Sequence, residues 1–237
     1  MCGRYSLTIT KKALDRRFPV ADGHVEHRPR YNIAPGQDAP VVVPGEGGHM
    51  LAGMRWGWPL AKASRLLTNA RSESLTARTL FNRRLDGYRC LVPADGFYEW
   101  APVEGRKGKQ PFRIRMPDAS LFAMAGLWRP GENGGAGGFL ILTTASVGPL
   151  AALHTRAPVL LRPADQASWL DRSIPFRDVR VALDPALVAD AVIEPVGPAV
   201  NRAGYDDPDC IRPIRLSRSG LLFETGFKRC GEGGGKA

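Results

Sequence analysis

The sequence predicts a single mixed α+β domain built on an antiparallel, barrel-like β-sheet with a few short helices. Short apolar runs recur along the chain, glycine-rich segments separate several of them, and helical patterns are few. Neither an internal repeat nor a long linker divides the 237 residues. We expect the domain to span residues 1–225 and the glycine-rich tail 226–237, which has little to bury, to be disordered.

The strands are predicted from apolar alternation and from short continuous apolar runs. In segment 49–58 one face carries Met50, Ala52, Met54, Trp56 and Trp58. Further strand-like runs lie at 89–100, 111–116, 121–128, 138–145 and 157–161. The segments EGRKGKQ (104–110) and GENGGAGG (131–138) predict hairpin connections.

The helices are predicted from their capping residues and apolar spacing. Four segments qualify: Thr8 or Thr10 to Phe18, Ser72 to Leu85, PADQASWL at 163–170, and a helix opened by Asp184 and Pro185.

The charge is strongly basic, with 33 Lys and Arg against 23 Asp and Glu, a net charge of +10. This favours an anionic partner, although a solvated basic surface is the alternative. No apolar run approaches the roughly 20 residues that cross a bilayer, and no secretory signal is present. We therefore expect a cytoplasmic protein that does not bind membranes.

The four cysteines, at positions 2, 90, 210 and 230, show neither paired spacing nor a zinc-site pattern. Cys90 lies in an apolar strand pattern and is predicted to be core. Phosphate-loop, dinucleotide and HExxH motifs are absent. We expect neither a metal nor a cofactor.

Cys2 directly follows the initiator methionine. Removal of Met1 before a small residue leaves a free α-amine beside a thiol, a 1,2-aminothiol that no internal cysteine has. This pair is a candidate nucleophile.

Two further residues are candidate acid–base groups. Glu99 lies within GFYEW, where aromatic neighbours would desolvate the carboxyl and raise its pKa, unless it simply faces outward. His154 precedes a buried-looking strand beside Arg156, where a structural histidine is the alternative.

Polar residues in two loops are candidate ligand contacts. Asn69 and Arg71 lie at a predicted strand-to-helix junction that favours phosphate, although surface arginines are common. Asn32 and Pro35, in YNIAPGQ, face a ligand or merely shape the turn.

Taken together, the segments resemble the SRAP family, the "SOS-response-associated peptidase" proteins that shield abasic sites in single-stranded DNA. The matching stretches occur in the family's order from residue 1 to about 213: MCGRYSLT, RYNIAPGQ, WGW with NAR, CLVPADGFYEW, RKGKQPFRI, GFLILTTAS, LHTRAPVLL and PVGPAVNRAGYDDPDCIRP.

The resemblance implies a role for each matching residue. Cys2 is the expected nucleophile, Asn69 orients the new N-terminus, and Glu99 and His154 are the active-site acid–base pair. The expected DNA contacts are Gly3, Arg4, Asn32, Pro35, Trp56, Arg71 and Arg156. The chain departs from the family at WGWPLAKAS, which lacks a frequent aromatic pair, and at Ala157, where a larger residue is common.

The implied activity is an abasic-site crosslinking enzyme of the DNA damage response. The Cys2 amine would form an imine with the open-chain aldehyde, and the thiol would close a thiazolidine ring. A side reaction as a lyase and the peptidase activity of the family's name are further expectations. We expect a monomer, associated with the nucleoid and with replication machinery. The alternatives are an N-terminal-nucleophile amidohydrolase and a non-catalytic single-stranded DNA binding module.

Overall fold

The computed structural model describes residues 2–20, 25–60, 63–82, 84–104, 107–131 and 137–216. Cys230, the domain end expected at 225 and the tail 226–237 lie outside these ranges. None of the helices in the described ranges has the length and hydropathy needed to cross a membrane.

The chain is mostly strand. In chain order the strands are β1 (Tyr5–Leu7), β2 (Arg30–Ile33), β3 (Asp38–Gly45), β4 (Gly48–Trp56), β5 (Trp58–Leu60), β6 (Ala63–Leu67), β7 (Asn69–Arg71), β8 (Arg89–Ala94), β9 (Gly96–Pro102), β10 (Lys109–Arg115), β11 (Phe122–Arg129), β12 (Gly138–Ala145), β13 (Arg156–Pro158), β14 (Leu160–Leu161) and β15 (Val192–Pro195).

The helices are short. They are α1 (Lys11–Arg17), α2 (Thr79–Asn82), α3 (Pro149–Leu153), α4 (Pro163–Leu170) and α5 (Phe176–Val179), with 3-10 turns at Ser72–Ser74, Arg180–Ala182, Pro185–Val188, Pro198–Asn201 and Pro208–Ile211. Two predicted caps are confirmed: Thr10 accepts from the Ala13 N–H ahead of α1, and Asp184 accepts from the Ala186 N–H.

The predicted mixed α+β fold is confirmed, and its strands form two main sheets. The first has the order β15-β10-β9-β1-β2, so β1 is an interior strand. In the second, the pairs β12–β4, β4–β3, β3–β8, β8–β11 and β11–β12 close a ring, as expected of a barrel-like sheet. Among the described strands, the pairs of β12 with β4 and with β7 are parallel, which the prediction of an antiparallel sheet missed.

The run 89–100 forms two strands in different sheets. β8 belongs to the ring and β9 to the first sheet, and the chain changes sheet at Asp95. A Cβ on Gly96 would lie 2.6 Å from Arg113 Nε, so only glycine fits this corner. The corner therefore joins the two sheets beside β1.

Three sequence predictions are wrong in detail. The helix expected after Asp184 and Pro185 is only the 3-10 turn Pro185–Val188. The helix expected from Ser72 to Leu85 is a 3-10 turn followed by α2; Phe81 and Leu85 are buried but Ala77 is exposed. The Ser and Thr residues of this segment are weak helix formers, so the apolar spacing alone does not sustain a helix. The run 157–161 splits into β13 on β12 and β14 on β11, with Pro158, which has no N–H to donate, at the break.

Candidate active site

The pairing of β1 with β9 brings the start of the chain to Glu99. Tyr5 is paired with Phe97, and the Tyr98 N–H donates to the Arg4 carbonyl over 3.0 Å. Continuing this antiparallel register places Gly3 opposite Glu99. The expected nucleophile Cys2, fully buried, is therefore held beside the carboxyl by sheet geometry.

Asn69 holds Cys2 from the other sheet. It begins β7, which pairs in parallel with β12, and its Nδ2 donates to the Cys2 carbonyl over 2.9 Å. The same Nδ2 lies 3.0 Å from Thr68 Oγ1. The Asn69 Oδ1 is buried and accepts no hydrogen bond within the described ranges. A buried acceptor is thus present beside the first residues of the chain.

His154 lies close to Glu99 and comes from the segment after α3. Its Nδ1 lies 3.8 Å from Glu99 Oε1. The same nitrogen is 3.0 Å from both the backbone N and the carbonyl O of Arg156, so its tautomer decides which contact is a hydrogen bond. The Glu99 side chain is 4% exposed and that of His154 27%, so the histidine forms the solvent-facing side of the pair.

Burial sets the proton affinities of this cluster. Burial raises the pKa of the Cys2 thiol well above its ordinary range, and the charge of Glu99 raises it further. Burial also raises the pKa of Glu99, against the opposing effects of the amino-terminal charge and of His154. The cluster therefore favours a neutral thiol and a carboxyl that keeps its proton above the usual range.

The two expected phosphate-binding arginines flank the cluster. Arg156 pairs through both terminal nitrogens with Glu73, at 2.7 and 2.9 Å, and donates to the Thr143 carbonyl over 2.5 Å. This pairing lowers the pKa of Glu73. Arg71, two residues after Asn69 on β7, is exposed. One guanidinium is thus fixed in orientation and the other faces solvent.

Arg4 and Asn32 face inward. Arg4 Nη1 donates to Asn32 Oδ1 over 2.9 Å and to the Val200 carbonyl over 2.6 Å. Asn32 is fully buried, and its Nδ2 donates to the carbonyls of Val200, Arg202 and Tyr205. The geometry does not support the expected contact of Asn32 with DNA. Instead, Asn32 ties the segment after β15 to the strands beside Cys2.

Trp56 is a core residue, and the expectation that it contacts DNA is corrected. Trp56 is fully buried, and its ring stacks on that of Phe139 with 6.3 Å between the ring centroids. Its indole N–H donates to the Thr68 carbonyl over 3.0 Å. No face of the ring remains for a base. It supports Thr68 and hence Asn69 from within the barrel.

Pro35 and Gly3 are more accessible. Pro35 is exposed in the turn closed by the Gln37 N–H and the Ala34 carbonyl, in which Gly36 has a φ of 84°. Proline followed by a glycine of positive φ fits a type II turn. Gly3 is half-buried. Their contact with DNA stays a prediction.

The sequence interpretation missed the partners of these residues. Glu73 orients Arg156, and no local pattern links two positions that lie 83 residues apart. In the described ranges no three His, Cys, Asp or Glu side chains are grouped to hold a metal ion.

A cleft of about 990 Å³ lies outside the cluster. Its lining mixes Lys11, Arg28 and Arg30 with Glu26 and Asp38. A cleft of mixed charge without the candidate acid–base groups does not match the chemistry of Cys2, so the convergence of Cys2, Asn69, Glu99 and His154 remains the better candidate site.

Curated relatives align with most of this chain. The abasic site processing protein YoaM of Bacillus subtilis is 34% identical over 72% of this chain and 79% of its own length. YoqW of the same organism is 31% identical over 89% and 99%. The abasic site processing protein HMCES of Xenopus tropicalis is 29% identical over 92% and 80%.

Solved structures share the fold. A Bacteroides thetaiotaomicron protein superposes with a TM-score of 0.75 at 19% identity, covering 90% of this chain and all of its own. A phage-related protein of Bordetella bronchiseptica gives a TM-score of 0.67 at 30% identity over 82% and 94%. The family model described as "SOS response associated peptidase (SRAP)" matches residues 1–203. The chain therefore belongs to the SRAP family.

Proposed function

We propose that this chain processes abasic sites: it binds single-stranded DNA and attaches Cys2 covalently to the open-chain aldehyde of the lesion. The names of the relatives YoaM, YoqW and HMCES support the abasic-site substrate. The observation that carries the proposal is the convergence on Cys2 of the Asn69 amide, at 2.9 Å, and of the buried Glu99 carboxyl with His154 3.8 Å away.

The proposed reaction begins with the amine. After Met1 is removed, the Cys2 α-amine, with an ordinary pKa of about 7.7–8.0, has a sizeable neutral fraction near a pH of about 7.5, and this neutral form attacks C1′ of the aldehyde. The oxygen leaves as water and an imine forms. The thiol then adds to the same carbon, forming the C–S bond, while its proton passes to nitrogen. The product is a thiazolidine and one water, with no change in oxidation state.

The raised thiol pKa supports this order of steps. Burial disfavours the thiolate, so Cys2 is a poor nucleophile toward the aldehyde by itself. A protonated thiol carries the proton that the nitrogen needs when the ring closes. The amine therefore starts the reaction and the thiol completes it.

Glu99 and His154 are the proposed acid–base pair. Because burial raises its pKa, Glu99 holds a proton at pH values where an exposed carboxyl does not, and it can give that proton to the departing oxygen. His154 lies within 3.8 Å and is partly exposed, so it can exchange protons between Glu99 and solvent.

The charge distribution supports a nucleic-acid partner. The net charge is +10, and Arg71 and Arg156 flank the cluster from two strands. Glu73 fixes the guanidinium of Arg156, whose planar fork suits a phosphate. Phosphate contacts of this kind give salt-dependent binding with little sequence preference.

A second candidate is an N-terminal-nucleophile amidohydrolase or peptidase, which the family's description favours. It would use the same Cys2. A cysteine hydrolase attacks as a thiolate, however, and burial raises the pKa of this thiol. The electrostatics therefore favour the crosslinking reaction.

The test is intact mass spectrometry of the protein before and after incubation with an abasic oligonucleotide. We expect loss of Met1 and a heat-stable adduct one water lighter than the sum of its parts. Cys2→Ala should abolish that adduct, and so should one residue inserted between Met1 and Cys2, which keeps the thiol but separates it from the amine. Cys210→Ala, which removes an internal buried thiol, is the matched control and should keep the full yield.

An undiminished heat-stable adduct from Cys2→Ala would contradict the proposal. Turnover of an amide substrate by the same preparation, without a DNA adduct, would favour the hydrolase. Salt-reversible binding that ignores both the lesion and Cys2 would instead indicate a non-catalytic binding module.

A further inference from the structure

A cleft with a basic lining lies at the base of the β5–β6 hairpin. It has a volume of about 560 Å³, and its charged lining consists of Arg55, Arg84 and Arg129. The rest of the lining is proline and glycine, and none of the described residues that line the cleft is acidic. Its composition differs from that of the mixed-charge cleft described above and suits an anion.

Two of these arginines converge on one buried aromatic ring. The guanidinium carbons of Arg84 and Arg129 lie 5.7 and 5.6 Å from the Trp58 ring centroid. Trp58 is buried and its indole N–H donates to the Gly138 carbonyl over 2.9 Å, so the ring is a fixed platform. Both arginines also line the cleft, so an anion bound there is attracted by two positive charges.

Most of the donors in this cleft are available. Arg84 uses one nitrogen on the Leu80 carbonyl, at 3.2 Å. For Arg129 no hydrogen bond or ion pair of its guanidinium occurs within the described ranges. Arg55 pairs with Asp38 at 3.3 Å, but both side chains are about 60% exposed, and pairs of this kind contribute little.

The cleft lies along the same edge of β12 as the candidate active site. Gly138 of β12 is paired with Arg55, and farther along the strand Ile141 is paired with Asn69 and Thr143 with Arg71. At about 3.3 Å per residue, the five steps from residue 138 to residue 143 span roughly 17 Å. At the roughly 3.4 Å per nucleotide of a stacked strand this is about five nucleotides, which a strand of about 16 nucleotides bridges and one of about 4 does not.

We propose that the cleft formed by Arg55, Arg84 and Arg129 binds a backbone phosphate of the same single-stranded DNA, outside the abasic nucleotide. The inference rests on the proposed function and extends it to a second contact. Because Trp58 is buried beneath the guanidinium groups, the contact reads phosphate and not a base, so it is independent of sequence.

The test compares the double variant R84Q/R129Q with the control R172Q/R177Q, which removes the same charge from two exposed arginines outside the cleft. Fluorescence anisotropy with oligo-dT of about 4 and about 16 nucleotides gives affinity and salt dependence for each. We expect R84Q/R129Q to lose about tenfold in affinity for the long strand at low salt. Its slope of log K against log salt should fall by about 0.7, the value for one lost phosphate contact on a single strand.

Strand length and a variant that keeps the charge distinguish a lost phosphate contact from other causes of weaker binding. The short strand, bound at the active site, should bind R84Q/R129Q and the control alike. The charge-keeping variant R84K/R129K should recover most of the salt slope, which excludes misfolding. Equal affinity and slope for R84Q/R129Q and the control on the long strand would overturn the inference, as would an equal loss on both strand lengths.

Crosslinking distinguishes this inference from the proposed function. With saturating abasic DNA, R84Q/R129Q should form the full Cys2 adduct. If the unmodified protein forms no adduct, the proposed function fails; if the adduct forms but the long-strand affinities match, only the second contact fails.

Discussion

Two buried carboxyl groups, Asp95 and Glu99, lie four residues apart in the same segment and have opposite environments. Asp95 accepts from Ser6 Oγ at 2.6 Å, from Thr8 Oγ1 at 2.7 Å, from the Thr8 N–H and from Arg113 Nη2 at 2.9 Å. Glu99 is also buried, with His154 Nδ1 3.8 Å from its Oε1, but there desolvation outweighs the neighbouring positive charges and raises the pKa. Hydrogen bonds and a guanidinium therefore dominate the environment of Asp95, and desolvation dominates that of Glu99.

This difference distinguishes a carboxylate that stabilises the fold, Asp95, from one proposed to transfer protons, Glu99. The donors around Asp95 stabilise its charge and fix the corner where the chain changes sheet. At Glu99 desolvation outweighs the opposing charges and raises the pKa, which is an environment typical of a general acid. We therefore expect Asp95→Asn to lower the stability and to leave crosslinking intact. We expect Glu99→Gln to slow crosslinking and to raise the stability slightly.

The largest effect is expected from Glu99→Gln on the crosslinking rate. The amide keeps the size of the side chain but cannot transfer a proton, so single-turnover crosslinking should slow by about 10²–10⁴-fold. Quenched time courses with abasic DNA measure this rate. Glu104→Gln, at an exposed carboxylate of the neighbouring hairpin, should leave it unchanged. A rate within threefold of the unmodified protein, roughly 0.7 kcal/mol, would contradict the acid–base role.

The next effect is the loss of stability from Asp95→Asn. Removing the charge leaves Arg113 buried and unpaired, which should cost about 3–5 kcal/mol and lower the melting temperature by roughly 6–20 °C. Asp38→Asn, whose partner Arg55 is exposed, is the control and should melt within about 2 °C of the unmodified protein. Crosslinking by the folded Asp95→Asn protein at low temperature should persist. Unchanged melting would contradict the structural role.

A smaller effect of opposite sign is expected for the stability of Glu99→Gln. The raised pKa means that the folded state binds a proton that the unfolded chain has released, so Glu99 lowers stability as pH rises through the raised pKa. The amide has no such loss. Its melting temperature should exceed that of the unmodified protein by about 2–4 °C at pH 8, with a smaller gain at pH 5. A gain that grows as pH falls would have the wrong sign.

The smallest effect on stability is expected for the Glu73–Arg156 ion pair, which is more exposed than the Asp95–Arg113 pair. Glu73 is about half exposed, and its bidentate pair with Arg156 is a surface pair. Glu73→Gln should therefore change the free energy of unfolding by less than about 1 kcal/mol in denaturant titrations. A loss as large as that of Asp95→Asn would show that exposure does not distinguish the two pairs.

The sequence predicted the positions of the strands better than it predicted which strands pair with each other. Apolar runs such as 138–145 identify β12 directly, because its residues are buried on both faces. The parallel pairing of β12 with β4 and β7 depends on contacts between distant segments, for which a single sequence has no local signal. The failed helix from Ser72 to Leu85 shows the same limit, since a period of four positions does not reveal which face is covered.

The site shows a similar division. Glu99 was identified because its aromatic neighbours imply desolvation, and the structure places it among buried residues. Asp95, in the same segment, gave no signal, because its donors Ser6 and Arg113 come from other strands. Trp56 and Asn32 resemble ligand contacts in sequence but are buried, which only the packing of the sheets determines.

The burial of Cys2 also affects its chemical lifetime. Oxidants such as peroxides, and alkylating reagents, react with thiolates, and the steps beyond sulfenic acid are not readily reversed. Because burial raises the pKa of the Cys2 thiol and covers the sulfur, we expect Cys2 to react slowly with such reagents in the folded protein. Burial would then preserve the thiol for the reaction proposed above.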